Sequence, residues 1–483
     1  MTRTAILNVV GLTPRLIGEH TPNLRAFREA GWTRSIQPPF PAVTCTAQSD
    51  YLTGQTAAGH GIVANGWFDR DLAEVHFWKQ SNRLVKGEKL WETLRQRHPG
   101  FTCAKLFWWY NMFSSADWSI TPRPMYPADG RKVFDVHAWP YPIRTEIKQD
   151  LGEFPFPGFW GPAAGRPSPA GPPDAASRWI ANSAKWIESR HSPDLSLVYL
   201  PHLDYNLQRH GPVSPANPAE LNPAIHRDLR EIDAIVGDLI SFYQSRQVRV
   251  GILSEYGITN VSLPIHLNRI LRERGWLQVK EELGLELLDA GSSRAFAVAD
   301  HQIAHIYVQD AALLEAVKNA VASVPGVAEV LDARDLAARG LHHRRAGDLV
   351  AVAREDAWFT YYYWLDDALA PDFARTVDIH RKPGYDPVEL FTNPALSPLA
   401  VKARIGWRLL QKKLGFRMLM DLIPLEATLV KGSHGCRPKD SADWPVLMLQ
   451  QSPPPPDSKS RRNDNGCLAS TDVRDALIAF SET

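Results

Sequence analysis

Cysteine is scarce in this chain of 483 residues, and the 4 it has are scattered. Cys45, Cys103, Cys436 and Cys467 show no CxxC spacing, so neither a disulfide framework nor a thiolate zinc site is indicated, and a reducing compartment is favoured. A surplus of charge is missing as well. Lys and Arg total 54 against 53 Asp and Glu, so net charge alone gives no attraction to nucleic acid or to an anionic membrane. No apolar run reaches membrane-spanning length, and the stretch from Thr4 to Val10 is too short for a signal-peptide core. The expectation is a cytoplasmic protein with no membrane and no nucleic-acid partner. No internal repeat is visible.

What is present is enough apolar content, 44%, for a large core, read as one big α/β domain with insertions. Strand-like and helix-like segments alternate, as in a doubly wound sheet. The Thr4–Val10 stretch, ending at Gly11, Ser196–Leu200 and Val248–Leu253 read as buried strands. Thr21–Ala30 reads as a helix capped by Thr21 with Pro22 in its first turn, and Leu221–Gln244 as a second helix. In such sheets ligands bind beyond the carboxyl ends of the strands, where polar residues follow Leu200 and Leu253.

Residues 1–263 are therefore assigned to the core, with a Trp- and Pro-rich insertion over about 82–176 that either covers the sheet or lines a pocket for a bulky, planar substrate. Residues 264–341 form a smaller αβ cap, with strands at Ala295–Val298 and Ile303–Val308 and a helix at Ala311–Val324. Residues 342–450 return to the core through the strand at Asp348–Ala353. Residues 451–469 are a mobile Pro-rich polar loop, and 470–483 a closing helix.

The chemistry centres on Phe40–Gln48, followed by Leu52-Thr53-Gly54 and His60–Asn65. A Pro-bracketed extended segment delivers the Thr44 hydroxyl to the start of a helix, and a second loop brings back the Asn65 amide. A helix N-terminus offers unpaired N–H groups to a phosphate, so Thr44 is either a nucleophile beside an anion site or a plain N-cap. Four later stretches carry ligand-type residues: His202 and Asp204 with Gln208, Glu255-Tyr256-Gly257, Asp300-His301 with His305, and Gly432–Gly435 with His434. Asp204, Glu255 and His434 each have a bland alternative, as a turn cap, a helix-start acid and a loop residue. His202 and His301 read better as hydrogen-bonded imidazoles, and His60 as structural. Arg123, His380 and Arg381 lie in polar, turn-rich stretches and are either phosphate-binding or surface residues.

These segments, in this order, resemble the type I phosphodiesterase/nucleotide pyrophosphatase family, a branch of the alkaline phosphatase superfamily. The resemblance implies an alkaline-phosphatase-like α/β fold with a smaller inserted cap lobe. It also implies Thr44 as the residue that becomes phosphorylated, Asn65 as the holder of a phosphate oxygen, and a small phosphorylated substrate; the stretch around His380 resembles a substrate-facing loop, and Arg123 and Arg381 are candidates to bind the phosphate. By the same resemblance Asp204, Glu255, His434 and Thr44 would hold one or two divalent ions, zinc or else magnesium or manganese. The chain departs from the family at three ligand positions, where it has Val10, Gln208 and Tyr256. Val cannot ligate, Gln is a poor zinc ligand, and Tyr ligates only when deprotonated.

Three functions follow. The first is a metal-dependent hydrolase of phosphodiester, pyrophosphate, phosphate or phosphonate bonds. The second is an impaired relative that binds a phosphorylated ligand, and the third an isomerase or lyase built on the remaining acids. Oligomeric state is not legible.

Overall fold

The computed structural model describes residues 2–129, 131–394, 396–416, 418–453 and 466–483. Much of the 451–469 stretch expected to be a mobile loop lies outside the described residues.

The central sheet follows from apolar strand runs that need cover on two faces. Its strands are β1 (Thr4–Val9), β2 (Trp32–Gln37), β3 (Cys103–Leu106), β4 (Trp118–Pro122), β5 (Val136–Trp139), β6 (Leu195–Leu200) and β7 (Arg249–Leu253). A second sheet holds β8 (Ala295–Asp300), β9 (Ile303–Val308), β10 (Val327–Leu331) and β11 (Leu349–Ala353), and β12 (Val446–Leu449) and β13 (Leu468–Ala469) complete the first. The order in the large sheet is β13-β2-β12-β7-β1-β6-β3-β4-β5. At its centre β1 lies parallel between β6 and β7, with Val9 opposite Leu200 and Asn8 opposite Leu253. Helices cover both faces, as the fold class requires. All β1 and β6 residues are buried, Asn8 among them.

The small sheet is antiparallel, in the order β8-β9-β11-β10. This corrects two expectations. Leu349–Ala353 pairs with β9 and β10 and is not a strand of the core, so the second lobe runs past residue 341. The aromatic-rich stretch is not an irregular cover, because it contributes β3, β4 and β5 to the large sheet.

Helix starts differ from expectation for a polar reason. Helix α1 (Pro22–Ala30) has Thr21 at its N-cap position, but the Thr21 hydroxyl donates to Leu16 O and accepts from Gly18 N. The first-turn amides of Asn23 and Leu24 bond to Asp233 instead, a carboxylate on the helix at His226–Ser245. Ahead of the closing helix (Val473–Glu482), Ser470 donates to Asp50 at 2.6 Å and ties the tail to the helix Thr44–Thr53. Cys45, Cys103 and Cys436 are buried thiols without a disulfide.

Candidate active site

Helix α2 (Thr44–Thr53) begins the site, and every one of its residues is buried. Its N-cap position is Val43, in extended backbone, which leaves Thr44 as the first helical residue. Thr44 is therefore not a cap. Its hydroxyl lies 3.3 Å from the Tyr256 hydroxyl. Asn65 clamps the helix start, its Oδ1 accepting from Cys45 N at 3.0 Å. The Asn65 backbone N–H and Nδ2 both donate to Asp300, at 2.8 and 3.1 Å.

Asp300 arrives from the second lobe, at the tip of the β8–β9 hairpin. His301, next in the tip, has positive φ and places Nδ1 2.7 Å from Asp300 Oδ1. His434 has Nδ1 2.8 Å from Ala42 O, so Nδ1 carries the proton and Nε2 the lone pair. Four rings then stack in sequence. Tyr256 lies 3.5 Å from His434, His434 3.7 Å from His301, and His301 3.6 Å from Tyr385, centroid to centroid. The stack joins the core to the second lobe.

The carboxyls sit within this wall. Asp204 Oδ1 accepts from Tyr256 OH at 3.1 Å and Oδ2 from Gln208 Nε2 at 2.7 Å, one helical turn on in the helix His202–His210. Gln208 Oε1 accepts in turn from Tyr385 OH at 3.0 Å. Glu255 Oε1 accepts from both Asn8 and Gln48 at 2.6 Å, while its Oε2 is buried without a partner among the described residues. Burial drives the acids upward: Glu255 to about 8, Asp204 to about 7 and Asp300 to about 6. Desolvation holds His434 and His301 neutral.

The expected metal ligands do not form a metal cluster. Among the described residues Asp204, Glu255 and His434 bring no three ligand atoms within 4.8 Å of one another; the group that does is His202, Asp228 and Glu231. There Arg227 also pairs with Glu231, and Asn206 donates to Asp228, so His202 behaves as the hydrogen-bonded imidazole expected of it. At the Thr44 site two of the replacement side chains are spent on protein partners: the Gln208 amide nitrogen faces Asp204, and Tyr256 OH spans Thr44 and Asp204. Val10 is buried and apolar. These residues, as arranged, do not fit a pair of divalent ions.

Arg123, His380 and Arg381 come together in one cleft of about 300 Å³, with Trp78, Lys79 and Tyr126. Arg381 is ion-paired with Asp372 at 2.9 Å, and His380 Nδ1 approaches Phe77 O at 3.3 Å. Trp78 separates the cleft from the ring stack, packing on Trp109 and on the edge of Tyr385. Trp109 N in turn donates to Gln48 Oε1 at 2.8 Å. His60 pairs with Asp50 at 2.8 Å beneath α2, a structural contact.

Sequence reasoning missed Asn8, Gln48 and Tyr385. Asn8 had a signal, as the lone polar side chain inside the apolar run from Ala5 to Val10. Gln48 and Tyr385 had none.

This assembly, a hydroxyl at the head of a buried helix beyond the carboxyl ends of a parallel sheet, defines an α/β protein of the alkaline phosphatase type. The chain belongs to the type I phosphodiesterase/nucleotide pyrophosphatase family, whose sequence profile matches residues 4–386. Its fold is similar to murine ectonucleotide pyrophosphatase/phosphodiesterase 5 in an inactive form with AMP. That match has 13% identity and a TM-score of 0.55, covering 100% of this chain and 95% of the other. The human protein of that name aligns at 14% identity with TM-score 0.56, over 99% and 95%. Phosphonoacetate hydrolase from Sinorhizobium meliloti 1021 with phosphonoformate aligns at 11% and TM-score 0.58, over 99% and 96%. No curated protein matches the chain. Among the described residues no helix is long and apolar enough to cross a membrane.

Proposed function

We propose that this protein hydrolyses a phosphodiester, pyrophosphate or related phosphate or phosphonate bond, with Thr44 as nucleophile and Tyr256 and Asp204 as its activating groups. The observation that carries this reading is the chain of contacts Thr44 Oγ1–Tyr256 OH–Asp204 Oδ1, at 3.3 and 3.1 Å. A Thr hydroxyl is a weak nucleophile without a base, and a carboxylate that titrates near 7 is well matched to remove its proton. As Thr44 Oγ bonds to phosphorus and the leaving oxygen departs, the Thr44 proton passes to Tyr256 and the Tyr256 proton to Asp204. The leaving oxygen takes a proton from solvent; water then attacks phosphorus, Thr44 Oγ departs and recovers its proton through Tyr256 from Asp204, and the proton lost by the water goes to solvent. The N-terminal amides of α2 other than that of Cys45, which bonds to Asn65, and the second Nδ2 proton of Asn65 would stabilise the developing negative charge. The metal dependence implied by the resemblance is not carried over, because Val10, Gln208 and Tyr256 stand where three of the implied ligands would be and Asp204, Glu255 and His434 bring no three ligand atoms together.

The ligand is read as a small phosphorylated molecule. Arg123, Lys79 and Arg381, with His380 beside them, would hold an anionic part of the ligand other than the phosphorus that Thr44 attacks, and Trp78 and Tyr126 offer ring faces to a planar group. Two of the structural neighbours above were crystallised with AMP and with phosphonoformate, which supports that class. A cytoplasmic location belongs to the same reading.

The test is turnover of an aryl phosphodiester by wild type and Thr44→Ala. All turnover should vanish in the variant while its melting temperature stays close to wild type. Turnover that survives the substitution rejects the nucleophile. A second reading, ligand binding without catalysis, is favoured by one observation: Thr44 is only 4% exposed. Tight AMP binding by calorimetry, with no hydrolysis of any phosphoester offered, would select it.

A further inference from the structure

Between Glu389 and Asp421 the chain has six basic residues, Lys402, Arg404, Arg408, Lys412, Lys413 and Arg417, and no acid. The whole chain is net +1, so the remainder is net acidic and the near-neutral total conceals a local concentration of positive charge. This stretch forms helix α3 of the outer surface (Pro398–Lys413), and none of its described residues is buried. It leaves and rejoins the body at one neck, where Asn393 N donates to Leu422 O at 3.3 Å and Ile423 N to Arg375 O at 3.0 Å. Arg404 and Arg408 turn inward to Asp421 on the returning segment.

The opposite side of the helix is apolar and bare. Leu399, Ala403, Trp407, Leu410 and Leu414 recur at spacings of four and three, which places them on one face. Leu399 is 77% exposed, Trp407 56% and Leu414 64%, with Phe416 beyond the helix at 64%. Lys402 and Lys413 flank this stripe and are exposed. Isolated exposed leucines need no explanation, but a continuous stripe with Trp and Phe does.

We propose that this helix lies on an anionic phospholipid membrane, with its apolar stripe among the acyl chains and its lysines at the headgroups. Low overall hydrophobicity, a basic rim and aromatic anchors are the features of a helix that lies in the interface plane. Lysine stems reach past an apolar face to put their charge at phosphate level, and Trp is at home at that depth. The charge distribution argues against the other occupants. In a two-fold dimer on this face the same basic rim would meet itself. A nucleic acid would satisfy the charges and leave the Leu–Trp–Phe stripe in water. Spanning is excluded by the 16-residue length and the charges within it. The inference concerns attachment and does not rest on the chemistry at Thr44.

The experiment is co-sedimentation of the full chain with vesicles of phosphatidylcholine containing about one-third phosphatidylglycerol, against phosphatidylcholine alone. Wild type should pellet with the anionic vesicles at least ~10-fold better than with the neutral ones, and high salt should weaken this. Trp407→Glu with Leu410→Glu should abolish pelleting without changing the thermal melt, since both side chains are exposed. Lys402→Glu with Lys413→Glu should remove the preference for anionic lipid. Failure to pellet, or pelleting indifferent to these substitutions, overturns the proposal. A wild-type dimer in light scattering that Trp407→Glu with Leu410→Glu turns into a monomer would overturn it in favour of self-association.

Discussion

The phenol ring of Tyr256 lies flat on the imidazole of His434, 3.5 Å away and 6° from parallel. This contact explains much of the site. A neutral phenol can accept one hydrogen bond and donate another, whereas an imidazole bound to a metal can do neither toward Thr44 and Asp204. With Tyr at this position the ring fills the space beside His434, and its hydroxyl links Thr44 and Asp204. Gln208 completes the change by donating to Asp204 from one helical turn away.

Tyr256→Phe isolates that hydroxyl. The ring and its stacking remain, and only the oxygen is lost. Turnover should fall by roughly 10²-fold or more, the scale of a lost acid–base contribution. Stability should fall by about 1–3 kcal/mol, because buried Asp204 Oδ1 loses its donor. Initial rates and a urea midpoint measure the two effects separately. A variant as active as wild type would rule out the relay.

Stability should decrease as pH rises. The unfolded carboxyls release their protons near pH 4, whereas Asp204 holds its proton to about 7 and Glu255 to about 8 in the folded chain. The folded state thus binds more protons than the unfolded one across this window, and raising the pH favours unfolding. The contribution is complete below the unfolded values and is lost through 7 and 8. Urea melts at about pH 5.5 and about pH 8.5 should differ by on the order of 5 kcal/mol in favour of the acid condition. The rate should run the other way and rise through about pH 7, because the relay needs ionised Asp204. A pH-independent midpoint would mean that these carboxyls are not held protonated.

The fold was legible because its signals are local and strong. Apolar strands at Thr4–Val9, Leu195–Leu200 and Arg249–Leu253 with polar residues beyond their carboxyl ends specify a parallel sheet and the side on which its site lies. Thr44, Asn65, Asp204, Glu255 and His434 could be singled out because each lies in a segment that resembles the family's. Their partners could not, since Asn8–Glu255, Gln48–Glu255 and Asn65–Asp300 span hundreds of residues and leave no periodic mark. The strand at Leu349–Ala353 shows the same limit. Its apolar run suits either sheet equally, and only pairing with Ile303–Ile306 assigns it to the second lobe. Net charge misled in a different way, because summation erased the basic surface helix.

Gly257→Ala should be severely destabilising for a reason visible only in three dimensions. A Cβ there would fall 1.7 Å from Asp443 O and 2.8 Å from Asp443 C, both backbone atoms. The segment is pinned by Arg15, which pairs with Asp440 and Asp443 at 2.6 Å, so it has little room to yield. The expected loss is about 2–3 kcal/mol by urea denaturation, the cost of a forced backbone shift. Turnover should drop as well, because Tyr256 is the preceding residue. A fully stable Gly257→Ala chain would show that this loop packs differently.

The arrangement of Asp204, Gln208, Tyr256 and His434 makes a further prediction about metals. After incubation with zinc, manganese or magnesium and desalting, wild type should retain well under one ion per chain by elemental analysis, since Gln208 and Tyr256 supply no zinc-type donor. Gln208→His combined with Tyr256→His would place two imidazoles beside Asp204 and His434, a donor set that zinc accepts, and about one zinc should then remain. His202, Asp228 and Glu231 need a control because their ligand atoms already lie within 4.8 Å. An ion that wild type retains and His202→Gln loses would belong to that triad and leave the relay untouched. An ion that wild type retains and Asp204→Asn or His434→Ala loses would place a metal beside Thr44, and Tyr256 would then be a ligand or a bystander rather than the group that carries the Thr44 proton.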